Sequence, residues 1–229
     1  MITAIVNQHD NPDRSAIARS LAVLRARSGR RVCLMRTDAA EDDWSDARSE
    51  ARIEPWIDTR SVGSRAIKTR LSALRSLFND ILIDAGARDS DACRCVLDCA
   101  RLIVVPVRGD AIDLDCQYRL LARLNAARNL NPAMQVLFVA VSGAGGPGPD
   151  ERAAVLAHVA RVRDARLADT VLHDAGGRFG AGLCAVDREA CAPAAAAAMA
   201  SLYQEVYAPA PRLAQLPQAQ VGAAHALYR

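Results

Sequence analysis

The chain has 229 residues, 51% of them hydrophobic and 24% charged, with a formal net charge of +3. This suits one α/β domain, or two small ones, with a sizeable core, and it excludes disorder throughout. The near-balanced charge and the lack of a bilayer-length apolar run also exclude a membrane-spanning chain and a strongly basic nucleic-acid module. The basic residues are lopsided: 28 are arginine and only Lys68 is lysine. In an alanine-rich chain this is ordinarily coding bias, but any lysine-dependent mechanism has one residue to use.

In chain order, the apolar run Ile2 to Val6 predicts a strand. Ser15 to Ser28 follows as a helix with Ile17, Leu21 and Leu24 on one face, ended by Gly29. Val32 to Met35 predicts a second strand. Residues 36 to 64 lose periodicity and carry eight acids against four arginines, the pattern of loops and short helices. Ile67, Leu71, Leu74 and Phe78 recur at helical spacing before the buried strand Ile81-Leu82-Ile83, which ends at Asp84. A helix from about Asp89 to Cys99, a strand from Leu102 to Val107 and a helix from Leu114 to Arg128 come next. They are followed by a strand from Val136 to Val141, a helix from Asp150 to Arg163, a last strand at Val171-Leu172 and a closing helix from Ala194 to Tyr207. About six strands, each followed by a helix, predict an α/β fold with a doubly wound, mostly parallel sheet and helices on both faces. The domain spans residues 1–208. The Pro-, Ala- and Gln-rich residues 209–229 read as a flexible tail, with a short partner-binding segment as the sharper alternative.

The seven cysteines are odd in number, and the opening Met-Ile-Thr-Ala-Ile-Val has no signal-peptide pattern, so reduced thiols in the cytoplasm are expected. Cys93, Cys95 and Cys99 form the one cluster. No nearby histidine or CxxC pair completes a tetrahedral metal site, and buried structural thiols are the ordinary reading.

The first strand, a short loop and the first helix make the setting in which a phosphate loop works, with backbone amides and the positive helix end holding an anion. Here the loop reads Asn7-Gln8-His9-Asp10-Asn11-Pro12-Asp13-Arg14-Ser15. In order and spacing the chain resembles the ParA/MinD family of deviant Walker ATPases, whose loop reads K-G-G-x-G-K-[ST]-[ST] in a P-loop NTPase-like fold. His9 falls on the family's signature lysine, Asp10, Asn11 and Asp13 on its glycines, Arg14 on the second lysine and Ser15 on the magnesium-binding hydroxyl. Arg36-Thr37-Asp38 resembles the D-x-D sequence with its first acid replaced, and Ile81 to Ala87 the Walker B strand with Asp84 kept. The segments at 102–107, 167–172 and 182–186 resemble later family strands.

Physical chemistry gives these losses a direction. The glycines are needed for backbone angles that L-residues avoid and for close approach of phosphate. Asp10 and Asp13 instead bring negative charge. A carboxylate about 4 Å from a phosphate charge costs roughly 4 kcal/mol at an effective dielectric of about 20. Pro12 removes an amide donor, and the planar fork of Arg14 does not reproduce a lysine ammonium. The bland alternative is that Asn11 or Asp13 caps the first helix and Asp84 is a strand-end loop residue.

The resemblance therefore implies a catalytically degenerate protein without catalytic residues, bound metal or cofactor. It would act as a positioning or assembly adaptor through protein contacts, as a homodimer or as a heterodimer with a related ATPase. Arg14, Ser15, Asp38 and Asp84 would be vestiges of the nucleotide site, and the loop around His9 and the acidic segment Asp42 to Asp58 would be contact surfaces. Family members position plasmids, division proteins and cellulose-secretion machinery. The alternative is a partition ATPase that binds ATP and Mg at a weakened site and binds DNA non-specifically. Arg152, Arg161, Arg163 and Arg166 are the candidate DNA-facing residues, against the simpler reading of a solvated face. Membrane binding is disfavoured because the tail lacks a basic amphipathic helix. The Gly-rich loop Ser142 to Pro149 contains no basic residue and reads as a connector, and the asparagine that would touch a base in the family is missing there.

Overall fold

A computed structural model describes residues 1–7, 12–37, 57–63, 67–86, 90–108, 114–143, 148–174 and 193–208. In chain order the elements are β1 (Ile2–Val6), α1 (Pro12–Arg27), β2 (Val32–Arg36), β3 (Ile57–Ser61), α2 (Ile67–Arg75), β4 (Asp80–Ala85) and α3 (Asp91–Cys99). They continue with β5 (Leu102–Arg108), α4 (Leu114–Leu130), β6 (Gln135–Gly143), α5 (Pro149–Val159), β7 (Ala165–Asp174) and α6 (Pro193–Tyr207). The strands form one sheet in the order β3-β2-β4-β1-β5-β6-β7, with every described pair parallel. The predicted doubly wound α/β architecture is therefore present.

Side-chain alternation along the strands divides the core in two. Ile2, Ala4 and Val6 of β1 and Ile81, Ile83 and Ala85 of β4 face α2, α3, α4 and α5. Ile5 and Leu82 face the other way, into a layer made by Ile17 and Leu21 of α1 and Met199, Leu202 and Val206 of α6. Asp80 and Asp84 share the parity of Leu82, so both carboxylates point toward α1. Pro106 fits inside the sheet because β5 pairs with β1 only from Leu102 to Val104, leaving the proline beyond the last ladder position on that side.

Four elements differ from the sequence reading by more than two residues. β3 lies inside the segment expected to be loops and short helices. Its Ile-Asp-Thr-Arg-Ser sequence has no apolar alternation because the strand pairs only with β2 among the described strands and every residue is half-buried. α1 starts at Pro12 rather than Ser15, with proline in the first turn where a missing amide costs nothing. α5 stops at Val159, short of Arg163. β7 runs for ten residues instead of two. Its pairing with β6 shifts between Phe138 and Ala140, which breaks the alternation that would have marked it. The irregular stretch is held by α6: the Glu205 carboxylate accepts hydrogen bonds from the amides of Asp169 (2.9 Å) and Thr170 (2.8 Å) and from the Thr170 hydroxyl. Gly29 ends α1 as expected, at φ 82, with its amide on the Ala26 carbonyl. The tail 209–229 lies outside the described residues.

Candidate functional site

The chain crosses the sheet on both sides of β1, which places a crevice at the carboxyl ends of β1, β4 and β2, where ligands of open α/β sheets bind. α1 begins above it. Its first turn carries Asp13, Arg14 and Ser15 down onto the end of β4. The Arg14 guanidinium donates from Nε to Asp84 Oδ1 at 2.5 Å, and the Ser15 hydroxyl donates to Asp84 Oδ2 at 2.6 Å. Both members of the ion pair are buried, with the Arg14 side chain only 2% exposed. Arg36, at the end of β2 and in register with Asp84, brings its Nε to 4.0 Å from Oδ2 while its side chain stays 56% exposed. One carboxylate thus meets two guanidinium groups and a hydroxyl.

The surrounding backbone is tied to the same place. The Thr37 amide donates to the Asp84 carbonyl at 3.3 Å, and the Thr37 hydroxyl accepts from the Gly86 amide at 2.8 Å. This pins the end of β2 to the turn after β4. Asp13 is buried and faces Arg108, at the end of β5, at 3.4 Å. Because α1 starts at Pro12, Asp13 lies within the first turn and is not the cap residue. A carboxylate there still meets the positive helix end.

The structure brings together Arg14, Ser15 and Asp84 and adds Arg36, Thr37 and Arg108 around them. Arg36 appeared in the sequence only as a replaced acid. Thr37 and Arg108 carried no signal, because each acts through a strand-end position that register alone reveals. His9, Asp10, Asn11, Asp38, most of the acidic segment 42–58, residues 144–147 of the Gly-rich loop and the stretch 182–186 lie outside the described residues. Pro12 is placed only as the start of α1.

The four candidate DNA-facing arginines do not form one patch. Arg161 lies over the Tyr118 ring of α4 at 4.8 Å, and the Arg163 amide bonds to Asn125 of the same helix. Arg166 instead donates to the Glu205 carbonyl of α6, on the opposite face of the sheet. Arg152 is exposed on α5.

Among the cysteines, Cys33 and Cys93 are buried and Cys95 and Cys99 are half-buried against the α2/α3 side of the core. Burial pushes the Cys33 thiol up to about 12, with a further upward push from Asp58. Cys116, Cys184 and Cys191 lie outside the described side chains. Among the described residues, no group of three or more His, Cys, Asp or Glu side chains could hold a metal ion, and no helix is long and apolar enough to cross a membrane.

No protein-family model and no curated protein sequence matches the chain. Solved structures do. McdA of Cyanthece, in its apo form, superposes with a TM-score of 0.64 at 11% identity, covering 90% of this chain and 100% of that one. The septum site-determining protein MinD of Pyrococcus horikoshii OT3, complexed with Mg-ADP, gives 0.61 at 16% identity over 90% and 95% of the two chains. A plasmid partition protein of Borrelia burgdorferi gives 0.56 at 12% identity over 76% and 90%. At these identities the likeness is one of fold: the chain has the P-loop NTPase-like α/β fold of the MinD and ParA-type proteins.

Proposed function

We propose that the chain is a positioning or assembly adaptor of MinD/ParA type that works through protein contacts without a nucleotide cycle. The fold supports the positioning or partition class. The closed carboxylate of Asp84 supports the loss of the cycle. A magnesium nucleotide at this crevice would need Ser15 and Asp84 turned toward the metal and a loop of bare backbone around the phosphates. Both Asp84 oxygens are instead engaged by Arg14 and Ser15, and a buried Asp13 carboxylate stands where the resemblance has a glycine. These residues do not fit the group, and we derive no step through it. The partner class is a protein: a second copy of this chain or a related ATPase.

Titration of the full-length protein with a fluorescent ATP analogue and magnesium tests this reading. The expected result is no saturable response. Saturable micromolar binding that Arg14→Ala removes would instead establish the weakened ATPase. Salt-dependent retention on DNA without nucleotide, lost on replacing Arg161 and Arg163, would move the function to nucleic acid.

A further inference from the structure

We infer that Arg14 is the resident cation of the crevice: its guanidinium substitutes for the divalent metal that Ser15 and Asp84 would otherwise share, so that removing it uncovers a latent divalent-cation site. This rests on the nucleotide-independent reading of the same crevice and deepens it. The argument begins with ligand chemistry. A hydroxyl and a carboxylate from adjacent elements are hard oxygen donors of the kind magnesium and manganese take up with water completing the shell. Ser15 and Asp84 are such a pair, with their oxygens 2.6 Å apart.

The third member of the cluster decides the outcome. Arg14 is adjacent to Ser15 in the first turn of α1, yet its Nε reaches the same carboxylate at 2.5 Å with the side chain buried. A divalent ion would have to displace the guanidinium from Oδ1 and then tolerate a like charge beside it in a poorly screened site. Arg36 supplies a second positive group at 4.0 Å from Oδ2, largely exposed and able to swing inward if Arg14 is shortened. The charge of Asp84 is thus balanced from within the chain, by Arg14 at Oδ1 and Arg36 near Oδ2.

The test is manganese binding followed by electron paramagnetic resonance, with magnesium-induced change in thermal midpoint as a second readout. Both use full-length wild type, Asp84→Asn, Arg14→Ala/Arg36→Ala and the same double variant carrying Asp84→Asn. Wild type should show no saturable binding. The double variant should bind manganese at least about tenfold more tightly than any wild-type response, and Asp84→Asn should abolish the gain. Wild-type binding that Asp84→Asn removes overturns the inference, as does a folded double variant that behaves like wild type.

Should the double variant fail to fold, the Nε–H resonance of Arg14 in wild type decides. It should be protected from exchange, lost in Asp84→Asn and unmoved by millimolar magnesium. A resonance that magnesium shifts or exposes overturns the inference. Saturable ATP binding by wild type would sink the adaptor reading itself. Failure of the manganese arm alone sinks only the substitution.

Discussion

Asp84 lies four residues beyond Asp80 on the same face of β4, and both carboxylates are met by arginines of one helix. Arg14 binds Asp84, while Arg25 binds Asp80 at 2.7 Å, with Arg30 adding a contact at 3.1 Å from just beyond the helix. Arg14 and Arg25 are eleven residues apart, close to three helical turns, so they emerge on one side of α1. Their separation along the helix, about 16 Å, approaches the roughly 13 Å between the two acids along the strand. α1 therefore lies across Leu82 with an ion pair at each end. The upper pair belongs to the crevice, and the lower one anchors the fold.

The upper pair should behave as a unit. Asp84→Ala leaves a buried guanidinium without its carboxylate, and breaking such a pair typically costs about 3–5 kcal/mol. Replacing both groups by apolar residues, Arg14→Met with Asp84→Leu, should recover most of that loss. Urea unfolding of Arg14→Met, Asp84→Leu and the double variant measures the coupling. Additive losses would show that the pair does not hold α1 to β4.

Much of this was legible in the sequence, and the part that was not has identifiable causes. The buried runs at Ile2, Ile81 and Leu102 announced central strands because both of their faces are covered. The order of motifs placed Arg14, Ser15 and Asp84 in one crevice. That Arg14 turns onto Asp84, and not toward the loop, is a matter of side-chain direction that spacing does not encode. β3 and the first half of β7 were missed because half-exposed strands with charged residues such as Asp58, Arg60, Arg166 and Asp169 show no apolar run. In β7 the irregular pairing is stabilised by Glu205, thirty-five residues away from Thr170.

Asp80 makes acid stability measurable at the lower pair. Burial disfavours its charged form, but hydrogen bonds from Arg25 and Arg30 outweigh that effect and hold the carboxyl below its ordinary 3.8. A folded-state value below the unfolded one means that the unfolded chain binds the proton first as pH falls. The stabilisation is complete above 3.8 and is lost as pH drops through the lower folded value. Asp80→Asn should destabilise the protein by about 1–3 kcal/mol at neutral pH. The gap from wild type should close on acidification, as followed by denaturant midpoints across the acid range. A gap that persists unchanged below the folded value would mean that packing, not charge, carries the effect.

Glu205 supplies a local prediction. Its carboxylate satisfies two backbone amides and one hydroxyl where β7 slips out of register, bonds to a charged acceptor that are typically worth about 1.5–3 kcal/mol. Glu205→Ala should release the bulge while leaving the β1/β4 centre intact. Hydrogen exchange should accelerate at the amides of Asp169 and Thr170 and remain slow at Ile83 and Val104. Uniform acceleration across the sheet would indicate that α6 docking as a whole, and not the bulge, depends on this side chain.

His158 gives the fold a second pH dependence, separate from the carboxylates. The imidazole is buried at the end of α5, edge-on to Phe138 with ring centroids 5.6 Å apart, and faces the positive charge of Arg161. Burial first, and then Arg161, push its value below the ordinary 6.5. Above 6.5 the ring is neutral in both states and contributes no proton-linked term. As pH falls below 6.5, the unfolded chain takes up a proton that the folded chain resists, so stability declines until the folded value is passed. His158→Gln should flatten this decline at some cost in packing, and Arg161→Gln should move the ring's titration upward toward 6.5. Carbon-bound ring proton shifts followed across pH report the folded value directly. A His158 that titrates at or above 6.5 in the folded protein would contradict the burial on which this prediction rests.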